Sequence, residues 1–398
     1  MAHMDFLELW VDIIVVGLCL QAQVLSAQNL TCNLVDLRAL KDFWSAFESG
    51  IDGWGSNSST DCCNWVGVSC NSSLSLGLSN DPIDSGRVTK LELFKKRLTG
   101  KLSESLGQLD QLRILNLSQN HLKESLPQSL FHLLKLKHLD LSSNDLSGPF
   151  PQSINLPSLE QLDISDNSLD GLLPTRICEN STRIEVIRLA LNNFAGEILP
   201  GLGSCSVLEH LSLGVNDLTG GVSEDIFQIQ ILKVLNLQDN MFYGKLSSGV
   251  GNLSNLVFLD ISSNRFSGTI PDVFYGLSKF EEFVEHSNRF EGTIPRSLSN
   301  SPSMKSLNLR NNSLVGSIDV NCSAMINLTS LDLGSNNLSG RVPDYLPFCR
   351  KLEKINFARN SLIGQIPESF KSFDSLSYLS LTNVNISNIS SALQILQN

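Results

Sequence analysis

Asparagine returns along this chain at an almost constant interval. It stands at Asn120, Asn144, Asn167, Asn192, Asn216, Asn240, Asn264, Asn288, Asn312, Asn336 and Asn360; one step is 23 residues, one is 25 and the rest are 24. Each asparagine sits in the same frame, L-x-x-L-x-L-x-x-N-x-L-x-G-x-I-P, seen in nearly ideal form at 256–271, LVFLDISSNRFSGTIP. Self-similarity at a fixed period of this length describes a stack of small coils rather than a globular core. Leu256, Leu259 and Ile261 take the inward positions, and Leu259-x-Ile261 has the alternation of a strand with one buried face. Asn264 then turns inward. Its amide can serve backbone groups of adjacent coils that would cost about 1–3 kcal/mol each if left buried and unpaired. Phe266, Ile270 and Pro271 close the far side, and Gly268 permits a tight backbone between them. One coil cannot bury its own apolar edge, so stability accumulates by stacking.

These features define a leucine-rich-repeat solenoid. Thirteen frames are present, and both end frames are atypical. The first, Val88-x-x-Leu91-x-Leu93, carries Lys96 where asparagine belongs; the last, Leu376-x-x-Leu379-x-Leu381, carries Val384 there. The tails GTIP at 268–271 and 292–295 and GQIP at 364–367 resemble the plant-specific class of these repeats. That resemblance implies a twisted superhelix with a second short strand on each coil. The expected fold is an α/β solenoid, a plant-type superhelix of about 13 repeats of 24 residues with a disulfide-bonded N-terminal cap. The expected divisions are a signal peptide at 1–27, the cap at 28–86 and the solenoid at 87–398, C-terminally incomplete. An incomplete array leaves Leu379, Leu381 and Ile386 at an open apolar edge, which repeat arrays normally avoid.

Residues 11–20, VDIIVVGLCL, form an apolar run followed by small residues. A cut near Ala27 makes this a secretory signal peptide, although Asp12 interrupts the run and no Lys or Arg precedes it. The other reading is a signal anchor, for which the run is short. Of nine cysteines, Cys19 falls in this segment and eight remain, an even number that favours a disulfide framework in an exported chain. Cys178 and Cys205 are 27 residues apart, as are Cys322 and Cys349. That is one repeat plus about one helical turn, and coils stack about 5 Å apart, so bridges between adjacent coils are feasible; four free buried cysteines are the other reading. Twelve Asn-x-Ser/Thr sequons, at Asn29, Asn57, Asn71, Asn116, Asn180, Asn252, Asn311, Asn321, Asn327, Asn337, Asn385 and Asn388, agree with an extracellular glycoprotein, although the repeat consensus itself creates some of them.

The pattern Cys32-x-x-x-Asp36 and Asp61-Cys62-Cys63-x-Trp65-x-Gly67-Val68-x-Cys70 looks like the N-terminal cap of plant leucine-rich-repeat receptors. Leu37, Leu40, Phe43, Trp44 and Phe47 nearby have helical spacing. Within that cap the expected pairing is Cys32 with Cys62 and Cys63 with Cys70, one of three possible connectivities.

Several functions find no support. There is no glycine-rich phosphate loop, no H-R-D or D-F-G triplet and no zinc-ligand cluster, so no catalytic residue, metal site or cofactor is assigned and the chain reads as a non-enzyme. A net charge of −11 without a basic stripe makes nucleic acid a poor partner. Function then rests on exposed positions between the inward leucines. One such column runs through Val284, Asn308, Asp332, Asn356 and Ser380; the next runs through His286, Arg310, Gly334, Ala358 and Thr382. Arg310 is a rare positive charge on it, and Asn308, Asn356, Ser380 and Thr382 surround it with neutral donors and acceptors. Such a patch suits an anionic, polar ligand; a solvated arginine or a pair with a nearby acid is the alternative. Glu285 breaks the frame by standing where a buried leucine belongs. A local shift that exposes it is the favoured expectation, with pairing or protonation the other.

Residues 28–33 (QNLTCN), 51–54 (IDGW), 102–106 (LSESL), 296–301 (RSLSNS), 321–333 (NCSAMINLTSLDL), 366–371 (IPESFK) and 389–397 (ISSALQILQ) resemble the ectodomain of plant phytosulfokine receptors. The resemblance covers essentially all of the chain after residue 28. It implies recognition of a sulfated peptide hormone on the inner face, against an island segment between late repeats, with a somatic-embryogenesis-type co-receptor kinase docking afterwards. Matched by motif, Arg310 in SLNLRNN and Asn356 in KINFA would hold sulfate groups, and Ser380 and Thr382 in YLSLT would bond the peptide backbone. The implied location is the secretory pathway and cell surface, at the plasma membrane for a full-length form. The island, later repeats, membrane span and kinase of that family fall outside this chain, which implies impaired binding. A secreted inhibitor similar to polygalacturonase-inhibiting proteins is the alternative reading.

Overall fold

The computed structural model describes residues 32–48, 50–54, 61–71, 86–151 and 153–397. The segment expected to be a signal peptide and the sequons Asn29 and Asn57 lie outside these residues. Thirteen short parallel strands, from Val88–Glu92 to Tyr378–Ser380, follow one another in sequence order in an inner sheet. The cap strand Val68–Cys70 pairs antiparallel with the first of them. A second sheet of thirteen strands, most of four or five residues, runs from Thr99–Lys101 to Asn385–Ile386. Single helical turns such as Glu104–Gln108 and Leu346–Phe348 form the outer side.

Why three-residue strands suffice is visible in the register. Leu235, Leu259, Phe283 and Leu307 lie side by side in successive strands, each fully or almost fully buried. Within one coil Leu256, Leu259, Ile261 and Phe266 are all at most 1 % exposed. Each such side chain contributes about 1.5–3 kcal/mol by leaving water. Phe242, Phe266 and Phe290 stack through three coils with ring centroids 6.2 and 6.1 Å apart.

The asparagines supply the polar half of the stacking. Asn264 Nδ2 donates to the carbonyls of Leu237, Ile261 and Ser262 at 2.9, 3.2 and 3.0 Å, and its Oδ1 accepts from the Phe242 amide at 3.0 Å. One side chain thus satisfies its own turn and the coil before. The residue just ahead of each ladder asparagine takes a left-handed conformation, even where it is bulky, as at Leu191 and Val215, both with φ 57°. Such a backbone is unfavourable for a branched side chain, so the turn persists because the ladder bonds overdetermine it.

At the N-terminal end, the helix Leu34–Ser45 covers the first coil with Leu37, Ala39, Leu40 and Phe43. Asp36 is fully buried and accepts from Arg87 Nε and from the Val88 amide, while Arg87 also pairs with Asp110. Cys32 is bonded to Cys62 and Cys63 to Cys70, with Cα separations of 5.2 and 5.5 Å. Further along, Cys178–Cys205 and Cys322–Cys349 join adjacent coils, with Cα atoms 5.1 and 4.6 Å apart.

Two expectations need correction. The last coil is not left open on its outer side. The helix Ile389–Leu396, capped by Asn388, packs on the turn Glu368–Ser372 and buries Ala392 and Ile395, while Leu379, Leu381 and Ile386 stay partly exposed where their counterparts Ile355, Phe357 and Leu362 are fully buried, so the expected open edge persists on the strand side. A short amphipathic helix covers apolar edge as a polar cap would. Nor does the strand at Glu285 shift: Glu282, Phe283 and Val284 keep their register with both neighbours, and Glu285 is fully buried. It is accommodated by an Asn312 hydrogen bond of 2.8 Å and by burial, which pushes its carboxyl well above the usual range.

Candidate ligand-binding strip on the concave face

Register places Asn308, Asp332, Asn356 and Ser380 side by side on four successive strands. At about 4.8 Å per strand this row spans roughly 14 Å. Two residues further on, the next row is Arg310, Gly334, Ala358 and Thr382. Arg310 and Thr382 are exposed, and the two small residues between them form a low floor. The four candidates from the sequence therefore share one face, with one intervening coil between Arg310 and Asn356.

Hydrogen bonding decides which groups remain available to a ligand. Asn308 Oδ1 accepts from the Arg310 amide at 3.3 Å, Asp332 Oδ1 from the Gly334 amide at 3.1 Å and Asn356 Oδ1 from the Ala358 amide at 3.1 Å. Each acceptor is thus turned back onto its own strand end. Among the described residues the side-chain amide NH2 groups of Asn308 and Asn356 have no hydrogen-bond partner, and the Arg310 guanidinium has no ion pair, so the expected alternative of a paired arginine is not what the fold provides. Gly334 leaves room for this arrangement, because a Cβ there would lie 2.8 Å from Asn356 Nδ2 and turn that side chain aside. Sequence reading named that glycine without seeing its role; the signal was two small residues in an otherwise polar column.

The earlier coils differ. Ser142, Ser165 and Ser262 each give their hydroxyl to the aspartate two residues before, at 2.7, 2.6 and 2.6 Å. Arg188 lies 3.5 Å from Asp163. Burial raises the carboxyls of Asp163 and Asp260, with the serine bonds opposing. The serine hydroxyls and Arg188 are engaged internally there, although among the described residues Asn116 and Asn236, like Asn308, bond only through Oδ1. The late strip adds Arg310 to such donors, with one acid, Asp332, between them. Chemically it matches a ligand rich in acceptors, with an anionic group near Arg310. The recess of 660 Å³ bordered by Arg341, Asp344, Tyr345 and Gln365, and that of 390 Å³ bordered by Arg296, Asp319 and Phe348, share no residue with the strip.

Comparison with known proteins agrees with this architecture. A family model described as leucine rich repeat N-terminal domain matches residues 33–71. Leucine rich repeat models match 111–133, 135–156, 158–180 and 255–277, and 326–386. Phytosulfokine receptor 1 of Arabidopsis thaliana is 53% identical over 181 residues, covering 45% of this chain and 17% of that protein. Phytosulfokine receptor 2 of the same plant is 40% identical over 97 residues, covering 24% of this chain and 8% of that protein. Among solved structures, PEPR1 with AtPEP1 superposes with a TM-score of 0.78 at 29% identity, over 89% of this chain and 49% of that one. The Arabidopsis receptor kinase HAESA, in complex with the peptide hormone IDA and the co-receptor SERK1, gives a TM-score of 0.66 at 31% identity, over 76% of this chain and 54% of that one. The chain thus spans less than a fifth of the phytosulfokine receptors it matches and about half of these solved ectodomains.

Proposed function

We propose that this chain, a leucine-rich-repeat solenoid of the plant receptor-ectodomain type, recognises a sulfated peptide hormone of the phytosulfokine kind on its concave face. The observation that carries the reading is the late strip, where unengaged donors at Arg310, Asn308 and Asn356 flank a low floor at Gly334 and Ala358. Arg310 and Asn356 hold sulfate oxygens. A guanidinium can meet a sulfate with two parallel charge-assisted bonds, each contributing about 1.5–3 kcal/mol. Ser380 and Thr382, whose hydroxyls both donate and accept, bond the peptide backbone. The resemblance to phytosulfokine receptor 1 supports the choice of peptide, and the HAESA complex supports a co-receptor of the same kinase type as the second partner. The role is binding without catalysis. Disulfides and receptor-type relatives agree with an extracellular or cell-surface place, reached through a signal peptide at 1–27, with the cap at 28–86 and the solenoid from 87 onward.

The test is calorimetric titration of the secreted chain with sulfated and unsulfated forms of one pentapeptide. Sulfate-dependent binding that weakens at least about tenfold in Arg310→Ala is the expected result. Equal binding of both forms, or indifference to Arg310→Ala, would overturn the proposal.

A further inference from the structure

Two carboxyl side chains are completely buried among the described residues, Asp36 and Glu285. Asp36 is met by a guanidinium and a backbone amide. Glu285 has neither. Its Oε2 accepts from Asn312 Nδ2 at 2.8 Å, and its Oε1 has no partner among the described residues. The inward positions in the coils before and after it are Ile261 and Leu309, and Phe283 and Phe290 of its own coil are equally buried. The charged or titratable groups of these strands face the other way: His286 and Arg310 lie on the concave surface with Asp260, and none contacts the Glu285 carboxyl. Its neutral form is favoured by burial and opposed by the bond from Asn312.

The Asn312 amide has two hydrogens and four acceptors. Besides Glu285 Oε2, it reaches the carbonyls of Glu285 and Leu309 at 3.4 Å each and that of Arg310 at 3.2 Å. The Arg310 carbonyl also accepts from the Ser287 amide at 2.9 Å, the bond that ties this turn to the preceding coil. A carboxylate is a stronger acceptor than a neutral acid or a peptide carbonyl, so ionising Glu285 draws an amide hydrogen away from the carbonyls.

We propose that Glu285 is a positioning residue for Arg310, setting through Asn312 how firmly the Arg310 turn is held, tighter when Glu285 is neutral and looser when it is ionised. As regulation of ligand binding this rests on the reading of Arg310 as a sulfate ligand; the coupling itself does not. It makes the strip responsive to pH from inside the coil, without a titrating group at the ligand.

The experiment uses the secreted chain, its Glu285→Gln isostere and Glu285→Leu, which restores the frame residue. Amide hydrogen exchange, corrected for intrinsic rates, is followed from about pH 5 to about pH 8. In the parent chain, protection of the Ser287 amide falls by up to about tenfold relative to the Asp239 amide, the equivalent bond two coils earlier, as the Arg310 carbonyl gives up the Asn312 hydrogen that helps hold its turn. Both variants hold that ratio constant. His286 is present in all three chains, so the difference isolates Glu285. A constant ratio in the parent, or an equal fall in the variants, overturns the coupling, and Glu285→Gln suffices should Glu285→Leu fail to fold. Sulfated and unsulfated peptide are titrated in parallel. Sulfate-dependent binding with an identical pH profile in the parent and Glu285→Gln removes the regulatory role and leaves the receptor reading intact. Binding indifferent to sulfate removes the receptor reading and leaves the coupling to stand on exchange alone.

Discussion

At Asn264 the ladder amide sits 2.9–3.2 Å from three carbonyls; two coils later, at Asn312, the distances to the corresponding carbonyls are 3.4, 3.4 and 3.2 Å. The frame and the register are the same at both places. The difference is one inward residue of the preceding coil, Leu237 before Asn264 and Glu285 before Asn312. Replacing a silent hydrocarbon by an acceptor diverts the ladder without moving the strand. Backbone pairing and side-chain stacking are therefore separable forces here: the first holds the coil in place while the second is compromised.

The contrast can be broken from its strong side. Asn264→Ala takes the partner from the Phe242 amide and one of two donors from each of three carbonyls, and about 1–3 kcal/mol of stability should go with them, read as a lower midpoint in denaturant unfolding. A loss below about 1 kcal/mol would mean that water replaces the amide and that the ladder does not hold the coils.

From the weak side, Glu285→Leu should make the Asn312 junction like that at Asn264. Stability at neutral pH should rise by about 1–3 kcal/mol as the buried acid is removed. The folded carboxyl titrates above its unfolded value, so its contribution is fully present below the ordinary glutamate range and is lost as pH rises toward the folded pKa. The parent and the Leu variant should therefore converge in acid and separate as pH climbs. Parallel melting curves at all pH values would show that Glu285 carries no proton of its own in the fold.

The smallest effect belongs to Gly334→Ala. The added methyl meets Asn356 Nδ2 at 2.8 Å, and Gly334 carries no positive φ to strain, so stability should change by less than about 1 kcal/mol. Peptide affinity should fall a few-fold, on the order of one displaced hydrogen bond. Unchanged affinity would place the ligand away from the Asn356 amide.

Most of the fold was readable because a repeat states its rule thirteen times. Inward positions and ladder asparagines follow from one period, and the second strand was implied by the resemblance of the tails to plant-type repeats. The exposed columns were readable for the same reason, which is how Arg310 and Asn356 came to be singled out. What the period cannot express is any feature made once. Glu285 looked like a residue the fold would expel, since the cost of burying an ion is large; burial of the neutral acid, with one borrowed amide hydrogen, is cheaper than breaking two strand pairings. The closing helix was hidden because Ile389–Leu396 falls after the last frame; its inward residues, Ala392 and Ile395, are three apart, a helical spacing legible only once the strand alternation has ended. The floor at Gly334 and Ala358 needed the hydrogen bonds that turn the neighbouring acceptors away.

The bridge between Cys322 and Cys349 crosses from one coil to the next, within the strip's own length. In a linear array, fraying proceeds from an end, one unit at a time, until it meets a unit that cannot separate from its neighbour. This covalent rung is such a stop. Arg310 lies in one of the two coils it joins, whereas Asn356, Ser380 and Thr382 lie in the two coils that follow, which carry no disulfide and are held by strand pairing and packing. The strip accordingly has a covalently tied half and an untied one, and a ligand that spans both would link them.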